Sequence, residues 1–220
     1  MQLLALDFAE SLPNFRMKTF FDVGANKGQT VRRVIKHFPG ARVYSFEPVT
    51  AAFDALKMQY SENGDVSCYR LALGSEDRDG LVTAVGSSTN NALTFDRSGP
   101  VEEVRVRTGD GFCTEHGIAD ISFLKIDTEG NDLDVLAGFE GMLREGKISL
   151  CQVECGMNAT NPKHVPLHRF QEFLEPFGYH LYHLYGQRHE FKGRPMLRRA
   201  DAVFISASTV AANTVKKRKR

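Results

Sequence analysis

Acidic residues stand where the apolar runs of this chain end. Asp22 lies in FFDV, ahead of a loop that carries Gly24, Asn26 and Gly28; Glu47 follows VYSF; Asp127 and Glu129 follow ISFLKI; Glu154 follows ISLCQV. Short apolar runs bounded by turn signals read as buried strands. In open α/β sheets ligands bind beyond the carboxyl ends of the strands, so these are the residues that would meet one. Carboxylates gathered there can accept hydrogen bonds from hydroxyls, take a proton as a general base once apolar walls raise their pKa, or hold a hard divalent cation.

The loop after FFDV narrows the choice. Gly24 and Gly28 permit close approach of backbone to a ligand, and the helix after them offers unpaired N–H groups. Their spacing lacks the third glycine of the dinucleotide fingerprint, and a plain strand-to-helix turn accounts for it as well. Glu47, however, lies 23 residues beyond Gly24, about where such folds place the acid that accepts hydrogen bonds from ribose hydroxyls. Loop and acid together favour a nucleoside ligand.

The elements that must position these residues alternate. Strands are expected at Thr19 to Val23, Arg42 to Phe46, Val66 to Arg70, Ile121 to Ile126 and Ile148 to Glu154. Helices are expected at Gln29 to His37, Val49 to Tyr60, Asp132 to Arg144 and His168 to Phe177, the first stopped by Pro39 and Gly40 and the last by Gly178. Such alternation implies a parallel sheet covered by helices. Between residues 81 and 106 the texture changes to β-prone pieces around SSTNN, which reads as an inserted hairpin. YHLYHLY after Gly178 alternates with period two, and AVFIS at 202–206 can pair with it as a final antiparallel strand.

Composition bounds the rest. The 220 residues, 42% hydrophobic, are enough for one domain, expected at 1–207 with a disordered basic tail at 208–220. No stretch is long and apolar enough for membrane insertion, and MQLLALDFAE carries acids where a secretory signal carries lysine or arginine, so a cytoplasmic protein is expected. Cys68, Cys113, Cys151 and Cys155 show no metal or disulfide spacing and read as packed thiols. The terminal KKRKR holds five of the 28 basic residues; without it the chain is acidic, with 23 basic residues against 27 acidic, which makes a nucleic-acid partner unlikely. Nothing in the sequence marks an oligomeric state.

DVGANKGQT at 22–30, FEP at 46–48, LALG at 71–74 and LKIDTEGNDLDVLAG at 124–138 occur in this order and together resemble the FkbM-type family of S-adenosylmethionine-dependent methyltransferases. The resemblance implies a class I methyltransferase, Rossmann-like fold: α/β, a mostly parallel seven-stranded sheet with its last strand antiparallel, and helices on both faces. It implies S-adenosyl-L-methionine as cofactor. By position, Asp22, Gly24, Asn26 and Gly28 would hold the amino-acid end and sulfonium side, Glu47 the ribose, and Leu71 and Ala72 would flank the adenine. Asp127 would face the methyl group and the substrate. Where the family has EGxE this chain has Asp132 for the second glutamate, which keeps the charge but not the reach, and Asp132 is assigned no role.

A sulfonium is already a potent methyl donor, so the protein must align the acceptor and, for a hydroxyl, remove its proton. Asp127, Glu129 and Glu154 are the candidate catalytic residues. Asp127 and Glu154 could instead hold a divalent metal that acidifies the hydroxyl; a metal-free route is favoured, because no third oxygen ligand of comparable standing is visible. Asp-Thr-Glu-Gly after the fourth strand differs from the Asn/Asp-Pro-Pro-aromatic turn of base N-methyltransferases. The resemblance points instead to O-methylation of a sugar, glycolipid or polyketide-like alcohol, a small-molecule or carbohydrate acceptor. Two other classes are a non-catalytic cofactor-binding scaffold and an RNA ribose 2'-O-methyltransferase using the basic tail. His164, cut off from the following helix by Pro166, is expected at the solvent or as a cap. His180 and His183 are expected on opposite strand faces. SSTNN at 87–91 would line the acceptor pocket or simply turn the hairpin.

Overall fold

The computed structural model describes residues 2–83, 93–94, 99–158, 164–191 and 193–214. In chain order the strands are β1 (Thr19–Val23), β2 (Arg42–Phe46), β3 (Val66–Tyr69), β4 (Ala72–Leu73), β5 (Arg78–Thr83), β6 (Leu93–Thr94), β7 (Val101–Arg107), β8 (Ile121–Ile126), β9 (Ile148–Gly156), β10 (Tyr179–His189) and β11 (Leu197–Ser206). The helices are α1 (Gln2–Ser11), α2 (Gln29–His37), α3 (Thr50–Tyr60), α4 (Gly109–Glu115), α5 (Asp132–Ala137), α6 (Glu140–Arg144), α7 (Leu167–Leu174) and α8 (Ala207–Asn213).

Seven strands form one sheet in the order β10-β11-β9-β8-β1-β2-β3. β3, β2, β1, β8 and β9 are parallel, and β11 runs antiparallel between β9 and β10. β8 is central and buried at all six positions, as a strand covered on both faces must be. Alternation sends neighbours on one strand to opposite layers. Phe21 and Leu124 join Phe139, Leu143 and Phe170 in one, whereas Phe20 and Phe123 join Leu4, Phe8, Val31 and Val34 in the other. Phe20 and Phe123 stack with centroids 5.3 Å apart.

Several elements differ from expectation. α1 was not foreseen; Leu4, Phe8 and Leu12, four apart, bury against the second layer. The helix expected from Asp132 to Arg144 is two, because the Gly138 carbonyl turns aside to accept from Asp110 N–H (2.9 Å) and a Cβ at Gly138 would lie 2.1 Å from the Gly74 carbonyl oxygen. In β10 a register shift between Leu181 and His183 breaks strict alternation, so Tyr182 and Tyr185 pack into the same layer. β5 and β7 pair antiparallel from Arg78–Val106 to Thr83–Val101, in a second sheet ordered β4-β7-β5-β6. SSTNN and KKRKR lie outside the described residues.

The stretch read as the start of a disordered tail is helical at Ala207–Asn213. Ser206 caps it by accepting from Thr209 N–H (3.2 Å), and Asn14 N–H donates to Asn213 Oδ1 (2.8 Å), tying the helix to the segment after α1. Ser206→Ala is expected to cost about 1 kcal/mol, read as a lower urea midpoint at unchanged slope; an unchanged midpoint would show that this cap does not stabilise the fold.

Candidate active site

Three strand exits interlock above the carboxyl edge of the sheet. Gly24 and Ala25 both donate backbone N–H to the Phe46 carbonyl (3.0 Å each), and Asp127 N–H donates to the Val23 carbonyl (3.0 Å). Gly24 has φ 79°, and a Cβ there would lie 2.0 Å from the Asp127 carbonyl oxygen. Its glycine is therefore dictated by the contact between the β1 and β8 exits. Asn26 has φ 48°, a left-handed conformation that asparagine tolerates better than most residues, so the turn itself accounts for this residue type. Its N–H donates to Glu47 Oε2 (2.8 Å), and Val49 N–H donates to Glu47 Oε1 (2.9 Å). Glu47 is thus fixed by both oxygens while each keeps a lone pair to accept from a ligand. Burial raises its pKa above the usual glutamate range, against the lowering effect of the Val49 and Asn26 hydrogen bonds.

These exits open on a cavity of about 390 Å³. Gly24, Asn26 and Glu47 line it with Leu71 and Ala72 at one end, and Asp127, Glu129 and Glu154 line the other. Two expected contacts are not on its wall. Gly28, with φ 81°, faces the ring of Tyr60, whose hydroxyl donates to the Gly28 carbonyl (2.9 Å). Asp22 points beneath the floor and is fully buried, because alternation along β1 turns it into the layer of Phe20.

Asp22 meets Lys125, a residue outside the set of sequence candidates. They are register partners on β1 and β8, and Lys125 Nζ donates to Asp22 Oδ1 (3.1 Å) and lies 3.3 Å from Asp127 Oδ2. Burial opposes the lysine's charge, but the two carboxylates outweigh it and hold its pKa above the usual lysine range. A lysine inside the mostly apolar ISFLKI is the signal that a buried acid has to lie beside it.

Glu154 is engaged as well. Arg199 Nη1 donates to its Oε1, and His164 Nε2 stands 2.7 Å from its Oε2. His164 is therefore not at the solvent; its side chain is 6% exposed. Pairing of Val165 and Pro166 beside Gly156 draws this segment along the end of β9 and turns His164 onto Glu154. Also missed was Asp201, next to AVFIS, which lines the cavity as register partner of Glu154. Among the described residues no three of His, Cys, Asp or Glu converge as metal ligands. The four cysteines are free thiols, three of them buried.

Asp132, 3% exposed, begins α5 and accepts from Gly130 N–H (3.3 Å) beneath a loop whose Glu129 and Gly130 have φ of 54° and 110°. The shorter acid in the EGxE position thus braces the loop from below instead of reaching the cavity. Burial, then Asp127, push its pKa up to about 6.

Residues 22–181 match the family model described as the methyltransferase FkbM domain. The chain is 25% identical over 136 residues to the 2-O-methyltransferase NoeI of Sinorhizobium fredii, covering 53% of this chain and 55% of that protein. It is 26% identical over 142 residues to Methyltransferase 1 of Beauveria bassiana, covering 54% and 57%. The chain thus spans about half the length of the curated relatives it matches. Aeropyrum pernix fibrillarin, solved with natively bound S-adenosyl-L-methionine, superimposes with a TM-score of 0.52 at 13% identity, covering 93% of this chain and 74% of that one.

The raised pKa of Asp132 fixes a sign for pH dependence. The folded state binds this proton more tightly than the unfolded chain, so the contribution of Asp132 to stability is full below about 4 and is lost as pH rises through about 6. Asp132→Asn is expected to gain roughly 1–3 kcal/mol over the wild type at pH 7 and little at pH 4. Urea unfolding at the two pH values measures it, and an equal effect at both would refute the burial argument.

Proposed function

This chain belongs to the methyltransferase FkbM family, and from that premise we propose that it transfers the methyl group of S-adenosyl-L-methionine to a hydroxyl of a sugar, glycolipid or similar small molecule. The observation that carries the reading is Glu47: a buried carboxylate at the end of β2, held by two backbone N–H groups and lining the cavity. That arrangement suits the two hydroxyls of a ribose. Leu71 and Ala72 would flank the adenine, and the Gly24 to Asn26 turn would receive the amino-acid end. Asp22 and Gly28 act one step back, Asp22 through Lys125 and Gly28 through Tyr60. When bound, the cofactor supplies an electrophilic methyl group; the protein has only to align an acceptor oxygen and accept its proton.

The polar part of the cavity lining supports a hydroxyl-rich acceptor. Gln29, Thr30, Arg33 and Gln152 line the cavity along with its carboxylates, a mixture of donors and acceptors that suits hydroxyl groups better than an apolar guest. The match to a 2-O-methyltransferase supports the same choice. Asp127 and Glu154 are both engaged with cations of the protein itself, which favours a metal-free route over one in which they share a metal. The free thiols fit a reducing compartment, the basis for proposing a cytoplasmic location.

Calorimetry with S-adenosylhomocysteine tests the cofactor assignment. The wild type is expected to bind, and Glu47→Ala to bind roughly 10- to 100-fold more weakly while still melting cooperatively. Absence of binding, or equal binding by the variant, would reject it.

A further inference from the structure

One row of polar side chains crosses the carboxyl edge of the sheet. Asp127 follows the pair Ile126–Val153, Glu154 continues it on β9, Asp201 is the register partner of Glu154, and Tyr185 that of Asp201. Adjacent strands bring such neighbours within about 5 Å of one another. All four line the same cavity. Three of them are committed elsewhere. Asp127 is paired with Lys125, Glu154 with Arg199 and His164, and the Tyr185 hydroxyl donates to Asp7 Oδ2 (2.5 Å).

Asp201 differs. Among the described residues it has no ion pair within 4.0 Å and no side-chain hydrogen bond, yet its neighbours leave room for it. Gly186 on β10 has φ 57°, and a Cβ there would lie 2.5 Å from Asp201 Oδ2. The Asp201 carboxylate occupies the space that this glycine leaves on β10, so a larger residue at 186 would displace it.

Resting on the methyl-transfer reading above, we propose that Asp201 is the catalytic residue that takes the proton from the acceptor hydroxyl. As the O–H bond gives its proton to Asp201, the acceptor oxygen uses its lone pair to bond the methyl carbon. The carbon–sulfur bond breaks with its electrons to sulfur, giving the methyl ether and S-adenosylhomocysteine, and Asp201 then releases the proton to water. Asp127 and Glu154, held by their cations, line the acceptor and keep their charges through the cycle. The groups that face Asp201 are Lys125 and Asp127 from β8 and its exit, Glu154 and Cys155 from β9, Arg199 from β11, Tyr185 from β10, and Asp7 from α1 behind Tyr185. Burial, then Asp127, raise the pKa of Asp201 above the usual aspartate range, against Lys125 and Arg199. A base so shifted is better matched to neutral operation than an ion-paired one.

The test uses the full chain with labelled S-adenosylmethionine and a cell extract as the source of acceptor, the product being identified by mass. Asp201→Asn should bind S-adenosylhomocysteine as the wild type does, transfer methyl roughly 100-fold more slowly, and lose the rise of rate with pH that the wild type shows. Asp201→Glu should regain part of the rate. Transfer by Asp201→Asn within about threefold of the wild type with the pH profile intact would overturn the assignment, and a collapse confined to Glu129→Gln would move the base to that residue. Loss of S-adenosylhomocysteine binding in Asp201→Asn would make its role structural, also against the proposal. A wild type that binds S-adenosylhomocysteine but transfers nothing would instead remove the methyl-transfer reading, and the assignment with it.

Discussion

The site is built around a lysine that has nowhere else to go. Lys125 is buried on the central strand and lies between Asp22, fully buried on the neighbouring strand, and Asp127 at the rim. Taking a cation out of water costs several kcal/mol, so a lysine in this place is tolerable only with its acids in place. The pair joins β1 to β8 at the level where both strands give way to loops. It also holds the Asp127 carboxylate at the cavity mouth, half-exposed and directed by a charge from below. The backbone contact of Gly24 with the Asp127 carbonyl repeats the connection two residues further on.

From this fixed point the remaining polarity is graded across the sheet. On one side lie the apolar walls of Leu71 and Ala72 and the tethered carboxylate of Glu47, the surface proposed to receive the nucleoside of the cofactor. On the other lie Glu154, ion-paired, and Asp201, which has no ion pair among the described residues, beside the hydroxyl link between Tyr185 and Asp7 that ties α1 to β10. A carboxylate paired with arginine stays charged and is a poor proton acceptor, whereas one in partly apolar surroundings is a better one. The same residue type therefore serves different ends according to its neighbours.

Much of this was legible in the sequence because it depends on local pattern. β1, α2, β2 and β8 fall on their expected residues, since each is an apolar or amphipathic run with a clear stop. The acids at the ends of β2, β8 and β9 do line one cavity, because strand ends in a parallel sheet lie on one edge. What was not legible depends on pairing between distant segments. Asp22 could be placed at a strand end, but only the register of β1 with β8 reveals that it faces Lys125 and lies off the cavity wall. His164 and Asp201 reach Glu154 through β9 contacts that no local spacing announces. The break at Gly138 reflects a carbonyl claimed by Asp110, again a distant partner.

A double-mutant cycle in urea on Asp22 and Lys125 tests most directly whether this buried pair supports the site. Lys125→Met alone should cost about 3–5 kcal/mol, because it strands the Asp22 charge. Asp22→Asn combined with Lys125→Met should cost clearly less than the sum of the two single changes, a coupling of roughly 1–3 kcal/mol. Additive losses would contradict the account and show that the two side chains stabilise the fold independently.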